Sequence, residues 1–516
     1  MKSLFALSGR QAFALALLFG ILITLAGLGV RELESGDETR VAGIAAEMYL
    51  EGDYLIPRLN GEPFLEYPPL YYWCAAASYA CFGIDDRAAK LPSALAALGC
   101  GLIVYLFARR LRLPPWCALG CCVMLMTSAQ FFGNSRKCMV DMLLAFCILL
   151  AVFAFYLWTE AGTIRRKVLF LLLFAAAAAG GVMTKGLIGL VLPVAVLGCW
   201  LVGRDCFARR FSFPSYAALG AGTLLAFAAV SVWYWRLYAA GGADMLHTVL
   251  VVNNFGRFSG SQGDHSEPFY YYLIKMPSLF WPWLPLVPFA VWHAVKRVRR
   301  DGDAGMLLVL SFLFVPLLLL TAASGKRIVY LLPLYAPCAL LCGVLLTELP
   351  EKVRRFLTRY GGRPAVWRTA VVLLCITAAV FIAISEGWSF CYPLLAAAFL
   401  LAAWFSPRSV RRVWLTGAAW ALFFVAIDTA SAPFLNRENS LRPMFEVCRA
   451  MERSGRETVL LSAPERTRGA AYFYLRRNVR EIRRDETPSA DAVLITRSKS
   501  GRAEGKPFAD HHWLIP

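Results

Sequence analysis

The sequence predicts an α-helical protein that crosses a membrane many times and ends in a small α/β segment. Three observations predict it. The 516 residues are 59% hydrophobic and only 17% charged, and the mean hydropathy of +0.56 lies well above that of ordinary soluble domains. Apolar runs of about 18 residues or more, enough to span a bilayer, recur along the chain. The net charge of +19 is gathered into short basic clusters between those runs. That distribution orients spans in a bilayer and is not the footprint of a nucleic-acid surface.

Thirteen runs read as spans: 12–30, 91–108, 116–133, 139–158, 168–184, 186–203, 215–235, 276–295, 306–323, 328–347, 367–385, 390–405 and 413–430. The segment Met1–Val30 carries Lys2 and Arg10 ahead of its apolar run but shows no small-residue cleavage site. A retained first span is expected rather than a signal peptide. A further run, "PPLYYWCAAASYACFG" (Pro68–Gly83), is short and opens on two prolines. The clusters Arg109-Arg110-Arg112, Arg165-Arg166-Lys167, Arg204-Arg209-Arg210, Lys296-Arg297-Arg299-Arg300, Lys352 to Arg368 and Arg408-Arg411-Arg412 fall on one side only if that run does not cross. The N-terminus is then cytoplasmic. Outside lie Arg31–Lys90, Asn134–Asp141, Thr184–Gly186, Ala239–Lys275, Ser324–Arg327 and the tail from Ser431. Lys185 and the pair Lys326-Arg327 are cations on the side that the rule disfavours, which invites a functional reading. The fifteen cysteines lie almost all in apolar runs, and Cys121-Cys122 lacks metal-ligand spacing, so packing roles are expected.

The outer segments hold the candidate chemistry. In "ESGDETRVAGIAAEM" (Glu34–Met48), Val41, Ile44, Ala45 and Met48 form one apolar stripe, as on a helix lying along the membrane surface. Ser35 and Glu38 read as a capping box. Asp37 is surplus to that box and is therefore a candidate. Glu66 precedes "YPPLYYW", where the prolines restrict its backbone. Asp141 opens the span after "NSRKCMV"; helix initiation is its bland explanation. The long loop Val251–Leu273 carries Arg257, His265, Glu267 and Tyr270-Tyr271-Tyr272, the tyrosines reading as an interfacial belt. "SGKRIVYLLPLYAP" (Ser324–Pro337) brings Lys326, Arg327 and Tyr330.

These residue types suit a polyprenyl-phosphate sugar donor, whose phosphate lies at headgroup level. Lys185, Arg257, Lys326 and Arg327 are expected to hold the phosphate, with a hydroxyl hydrogen bond from Tyr330. Once neutralised, a phosphate leaves without a strong acid. A carboxylate then either deprotonates an acceptor hydroxyl, the role open to Asp37 and Asp141, or binds a divalent metal, the role open to Glu66 with His265. The expectation is that these acids and cations, distant in sequence, meet at one outward-facing cavity.

"DETRVAGIAAEM", Glu66 with "PPL", "GVMTKG", "NNFGRF", "HSEPFYYYL" and "SGKRIVYLLPLYAP" occur in the order seen in the bacterial polyprenyl-phosphate-sugar transferases. The chain resembles that family over roughly residues 10 to 345. It includes the aminoarabinose lipid A transferases (glycosyltransferase family 83) and is related to the protein O-mannosyltransferases of the GT-C fold. The resemblance implies a periplasmic site in a bacterial inner membrane, with acids at Asp37 and Asp141 and a lipid-phosphate pocket at Lys185, Arg257 and Tyr330. It implies transfer of a sugar, 4-amino-4-deoxy-L-arabinose or a related one, from undecaprenyl phosphate to lipid A or another envelope acceptor by inverting displacement. The aminoarabinose transferases carry a lysine where this chain has Tyr67, and Asn253-Asn254 replace an acid–histidine pair of some relatives. A lipid A phosphate is already anionic and needs no base, leaving Asp37 or Asp141 to bind the sugar's ammonium. Hydroxyl acceptors on protein or glycan would need the base.

The tail reads separately. "FEVCRAMERSG", "TVLLSA", "RGAAYFYLRR" and "DAVLIT" follow as helix, strand, helix and strand, suggesting a small α/β domain over 431–516 behind a transmembrane domain over 1–430. The rival to an enzyme is a lipid transporter or flippase. It would place ionisable groups near the midplane or show repeated halves, and neither is visible. An inactive envelope scaffold is the third class.

Overall fold

The computed structural model describes residues 7–256, 267–281, 283–347, 409–483, 486, 492–497, 506–508 and 512–515. The chain begins with α1 (Gly9–Leu25), α2 (Gly36–Glu51), the hairpin β1 (Arg58–Leu59) and β2 (Glu62–Pro63), and α3 (Leu70–Phe82). Then come α4 (Asp86–Arg110), α5 (Pro115–Met126), α6 (Ala129–Ser135), α7 (Val140–Glu160), α8 (Ile164–Lys185), α9 (Ile188–Ala208) and α10 (Phe213–His247). A π-helical stretch, Thr248–Gly256, follows α10. Beyond it lie α11 (Tyr271–Leu279), α12 (Val287–Asp301), α13 (Ala304–Ala322), a 3-10 turn over Ile328–Leu334, and α14 (Tyr335–Thr347). The last part holds α15 (Ser409–Asn439), α16 (Arg442–Arg453), β3 (Glu457–Leu461), α17 (Glu465–Leu475), β4 (Glu481–Ile482), β5 (Ala492–Arg497), β6 (Lys506–Phe508) and β7 (His512–Ile515).

Two compact units emerge, each formed from separated stretches. One comprises Met1–Ala26, Ala94–Ser135 and Val140–Ile427; the other comprises Gly27–Ser93, Arg136–Met139 and Asp428–Pro516. The expected first outer loop and the tail thus fall in the same unit.

The first unit is a helix bundle. Among the described residues seven helices are long and apolar enough to cross a membrane, or eight if α5 and α6 form one broken span. The expected runs 367–385 and 390–405 lie outside the described residues. Three other expectations need revising. The first span is shorter than 12–30, since its helix has 17 residues. The run 116–133 bends by 71° between α5 and α6, where the hydroxyls of Thr127 and Ser128 donate to the carbonyls of Val123 and Met124, each at 2.6 Å. Such back-bonding bends helices. The run 276–295 is not one helix: Pro285 and Pro288 remove donors, and it breaks into α11, a short 3-10 turn and α12. The core holds Phe107 against Phe153 and Tyr156. Buried Trp200 donates to the Ala304 carbonyl at 2.8 Å. Most described cysteines are buried and all are unbridged, as packing residues would be.

The second unit is built around α2. Ser35 caps it and exchanges hydrogen bonds with Glu38 in the expected box, and Gly52 closes it at φ 74°. Every residue from Glu38 to Met48 is buried. The single surface-lying stripe expected from the sequence is therefore too narrow a description. The reason is the run of small residues between the stripe positions. An added Cβ at Gly43 would lie 2.4 Å from the Gly469 carbonyl oxygen of α17, so a second helix packs backbone to backbone against this face. The Gly43→Ala variant is expected to lose about 1–3 kcal/mol by overpacking, read as a lowered unfolding midpoint of the purified protein. An unchanged midpoint would refute the close crossing.

The four tail segments are α16, β3, α17 and β5. They join a five-stranded sheet in the order β4-β3-β5-β7-β6, with β4 and β5 parallel to β3 and β7 antiparallel to β5. In the hairpin, the backbone N–H groups of Asn60 and Gly61 each donate to the Glu47 carboxylate at 2.8 Å. The Asn60 amide pairs with both backbone groups of Val479, at 2.7 and 2.8 Å. These bonds fix the strand that leads to Phe64 and Glu66. Helix α3, with 13 residues, is too short to cross a bilayer.

Candidate functional site

In the second unit, Arg40 gathers three carboxylates. One terminal nitrogen, Nη2, lies 2.8 Å from Asp37 Oδ1 and 2.9 Å from Glu66 Oε2, while Nη1 lies 2.6 Å from Glu465 Oε2. Asp37 and Arg40 are three residues apart on α2 and so share a face. The guanidinium carbon sits 5.3 Å from the centre of the Phe64 ring, within cation–π range. Burial alone would lower the Arg40 pKa, but Glu66 and then Asp37 hold it above its usual value. Buried Tyr67 also lies near enough to act on that charge. Asp37 keeps 23% of its side-chain surface exposed, so the cluster stays open at its acid.

A second buried network lies one turn back in the same unit. Arg31 faces Glu34 at 3.1 Å, Asp428 at 3.6 Å and Glu38 at 3.9 Å, and Arg136 donates to Asp428 at 2.6 Å. The Lys90 ammonium donates to the carbonyls of Arg31 and Glu32. Burial pushes the Glu38 pKa up, but Lys90, Arg31, Lys137 and the Cys138 N–H bring it below the usual carboxylate range. Glu38 therefore stabilises the fold above that range, and the contribution fades as pH falls through the depressed value.

In the first unit, three expected residues from three separate stretches meet. Asp141, in the first turn of α7, forms an ion pair with Lys185 at the last turn of α8, both side chains less than a tenth exposed. The Lys185 ammonium also lies 4.4 Å from the centre of the Tyr330 ring. Tyr330 thus offers this lysine its ring face, a contact its hydroxyl did not foretell. The turn after α8 is held by a close approach: a Cβ on Gly181 would come within 2.8 Å of the Gly189 carbonyl.

Lys326 is placed differently from its expected phosphate role. Its buried ammonium donates to the carbonyls of Glu267, at 2.8 Å, and Ala323, tying the end of α13 to the segment before α11. The Arg327 carbonyl accepts from the Tyr272 hydroxyl at 3.4 Å. Arg257 and His265 lie outside the described residues. Among those described, no group of three or more His, Cys, Asp or Glu could hold a metal. Glu66 already faces a guanidinium, and its expected co-ligand His265 is not among the described residues.

Sequence reasoning missed Arg40 and Glu465 as site residues. Arg40 carried a weak signal, its i, i+3 spacing from Asp37. Glu465 carried none, because its partner lies 425 residues away.

A family model described as dolichyl-phosphate-mannose-protein mannosyltransferase matches residues 15–242. The undecaprenyl phosphate-alpha-4-amino-4-deoxy-L-arabinose arabinosyl transferase of Erwinia tasmaniensis is 30% identical over 324 residues, covering 63% of this chain and 57% of the relative. That of Edwardsiella ictaluri is 31% identical over 335 residues, covering 64% and 58%. The chain thus spans under two thirds of these curated relatives. ArnT from Cupriavidus metallidurans, solved bound to undecaprenyl phosphate, shares the fold at a TM-score of 0.68 and 18% identity, covering 92% of this chain and 86% of that one. Its apo form gives 0.65 at the same identity, covering 93% and 86%. The chain thus shares its fold with this solved transferase and is similar over part of its length to the aminoarabinose arabinosyl transferases.

Proposed function

We propose that the protein moves a sugar, 4-amino-4-deoxy-L-arabinose or a close relative, from undecaprenyl phosphate to lipid A or another envelope acceptor. The observation that carries this reading is the meeting of Asp141, Lys185 and Tyr330, and the names of the relatives support it. The anomeric carbon–oxygen bond to the lipid phosphate breaks, its electron pair staying on the phosphate oxygen. An acceptor oxygen bonds the same carbon from the opposite face, inverting it. Lys185 neutralises the leaving phosphate, and Asp141 aims the lysine. Asp37 holds the sugar's ammonium when the acceptor is a phosphate, and takes the proton when it is a hydroxyl. A protein or glycan acceptor is the second reading, supported by the mannosyltransferase family match.

The basic clusters between spans support a cytoplasmic N-terminus, with the site and residues 431–516 in the periplasm. Purified full-length protein, incubated with undecaprenyl phosphate-aminoarabinose and lipid A, is expected to give aminoarabinose-modified lipid A by mass spectrometry. No transfer to lipid A, peptide or glycan, with donor lipid instead crossing proteoliposome leaflets, would establish the transporter class.

Two further outcomes are expected. Arg257→Ala should weaken undecaprenyl-phosphate binding about tenfold, the loss of one charge-assisted contact; unchanged affinity in a titration would remove Arg257 from the pocket. Transfer should survive EDTA, because Arg40 already neutralises Glu66. Loss in EDTA with recovery on added zinc would restore the metal reading of Glu66 and His265.

A further inference from the structure

The residues 431–516 have no assigned part in the reaction, yet α17 delivers a carboxylate to Arg40. We propose that Glu465 is a positioning residue for Asp37 and Glu66, acting through the Arg40 guanidinium. This rests on the transfer reading above.

Arg40 presents a single nitrogen to both Asp37 and Glu66. An arginine held only at that end can swing about its side-chain axis and close in two-pronged fashion on either acid, because carboxylates favour bidentate pairing. Such a swing would take Asp37 or Glu66 out of line. Glu465 holds the other terminal nitrogen at 2.6 Å, and the Phe64 ring covers one face. Gripped at two ends and a face, the guanidinium plane is fixed.

Glu465 is itself anchored. The Thr39 hydroxyl donates to the Arg466 carbonyl at 3.0 Å, and Arg466 donates to the Glu34 carbonyl at 2.6 Å. Four residues further along α17, Gly469 meets Gly43. A first-turn acid on α17 would also favour the helix dipole, but that role is indifferent to where the carboxylate points. Its short contact with Arg40 is not.

The test uses the full-length protein and compares Glu465→Gln with Glu465→Asp. Glu465→Gln is expected to lower kcat on the order of tenfold, as misplacement of a reacting group does, with KM for the lipid donor within about twofold. Glu465→Asp, which keeps the charge, is expected to recover most of the rate. Both variants are expected to fold, Glu465→Gln lowering the unfolding midpoint only by the small loss of one half-exposed ion pair. A Glu465→Gln kcat within about twofold of the unsubstituted value, or a loss that Glu465→Asp does not rescue, overturns the proposal.

A double-mutant cycle with Arg40→Lys separates this from failure of the transfer reading. If the unsubstituted protein transfers no sugar, the transfer reading falls, and the cycle is read on unfolding midpoints instead. Non-additive effects support the Arg40–Glu465 coupling and additive ones overturn it.

Discussion

Asp37→Asn is expected to abolish sugar transfer, lowering kcat by about 100-fold or more while the protein still folds and inserts. The size follows from the role: a positioned acid or base contributes about 10² to 10⁴ in rate, and a neutral amide can neither take a proton nor balance an ammonium. The fold should tolerate the change. The capping box uses Ser35 and Glu38 rather than Asp37, and Arg40 keeps Glu66 and Glu465 as partners. Transfer assayed by mass spectrometry beside an unfolding curve checks both halves. Near-normal transfer would take Asp37 out of the reaction. Loss of folding would make it a structural acid.

Breaking the Asp141–Lys185 pair is expected to have the next largest effect. Lys185→Ala leaves a buried carboxylate with its charge uncompensated, and one-sided removal of such a pair costs about 3–5 kcal/mol. It also takes the cation from the face of Tyr330. Stability and catalysis can be parted by replacing both partners. The double variant Asp141→Leu with Lys185→Met removes both buried charges together, and apolar replacements of similar size are often neutral or stabilising. It is expected to regain the unfolding midpoint but not the transfer. A double variant that transfers sugar normally would show the pair to be scaffolding.

Much of this was legible in local patterns. The Ser35–Glu38 box, the non-crossing run at Pro68–Gly83 and the four tail elements each depend on residues a few positions apart. Burial, capping and turn chemistry act at that range. Asp141 and Lys185 were also legible singly, because a charge beside an apolar run is costly to keep without a use. Other features had no local signature. Glu465 is an unremarkable first-turn acid until α17 is seen against α2. Lys326 reads as a phosphate ligand because its sequence shows a cation but not the two carbonyls that take up two of its three donors. The α2 helix looked one-sided because its glycine and alanines score as weakly apolar, although their smallness is what admits a second helix.

By itself, then, the sequence determined that the chain is a membrane protein of many helices with acids and cations at their ends. Composition and spacing suffice for that, since the bilayer penalises each unpaired polar group wherever it falls. Only the tertiary structure decided which charges face one another. The choice of Arg40 for three carboxylates, and of Lys185 for Asp141, is made by helix crossings hundreds of residues apart in sequence or one span apart in space. Such pairings are energies of position, which no stretch of residues carries alone.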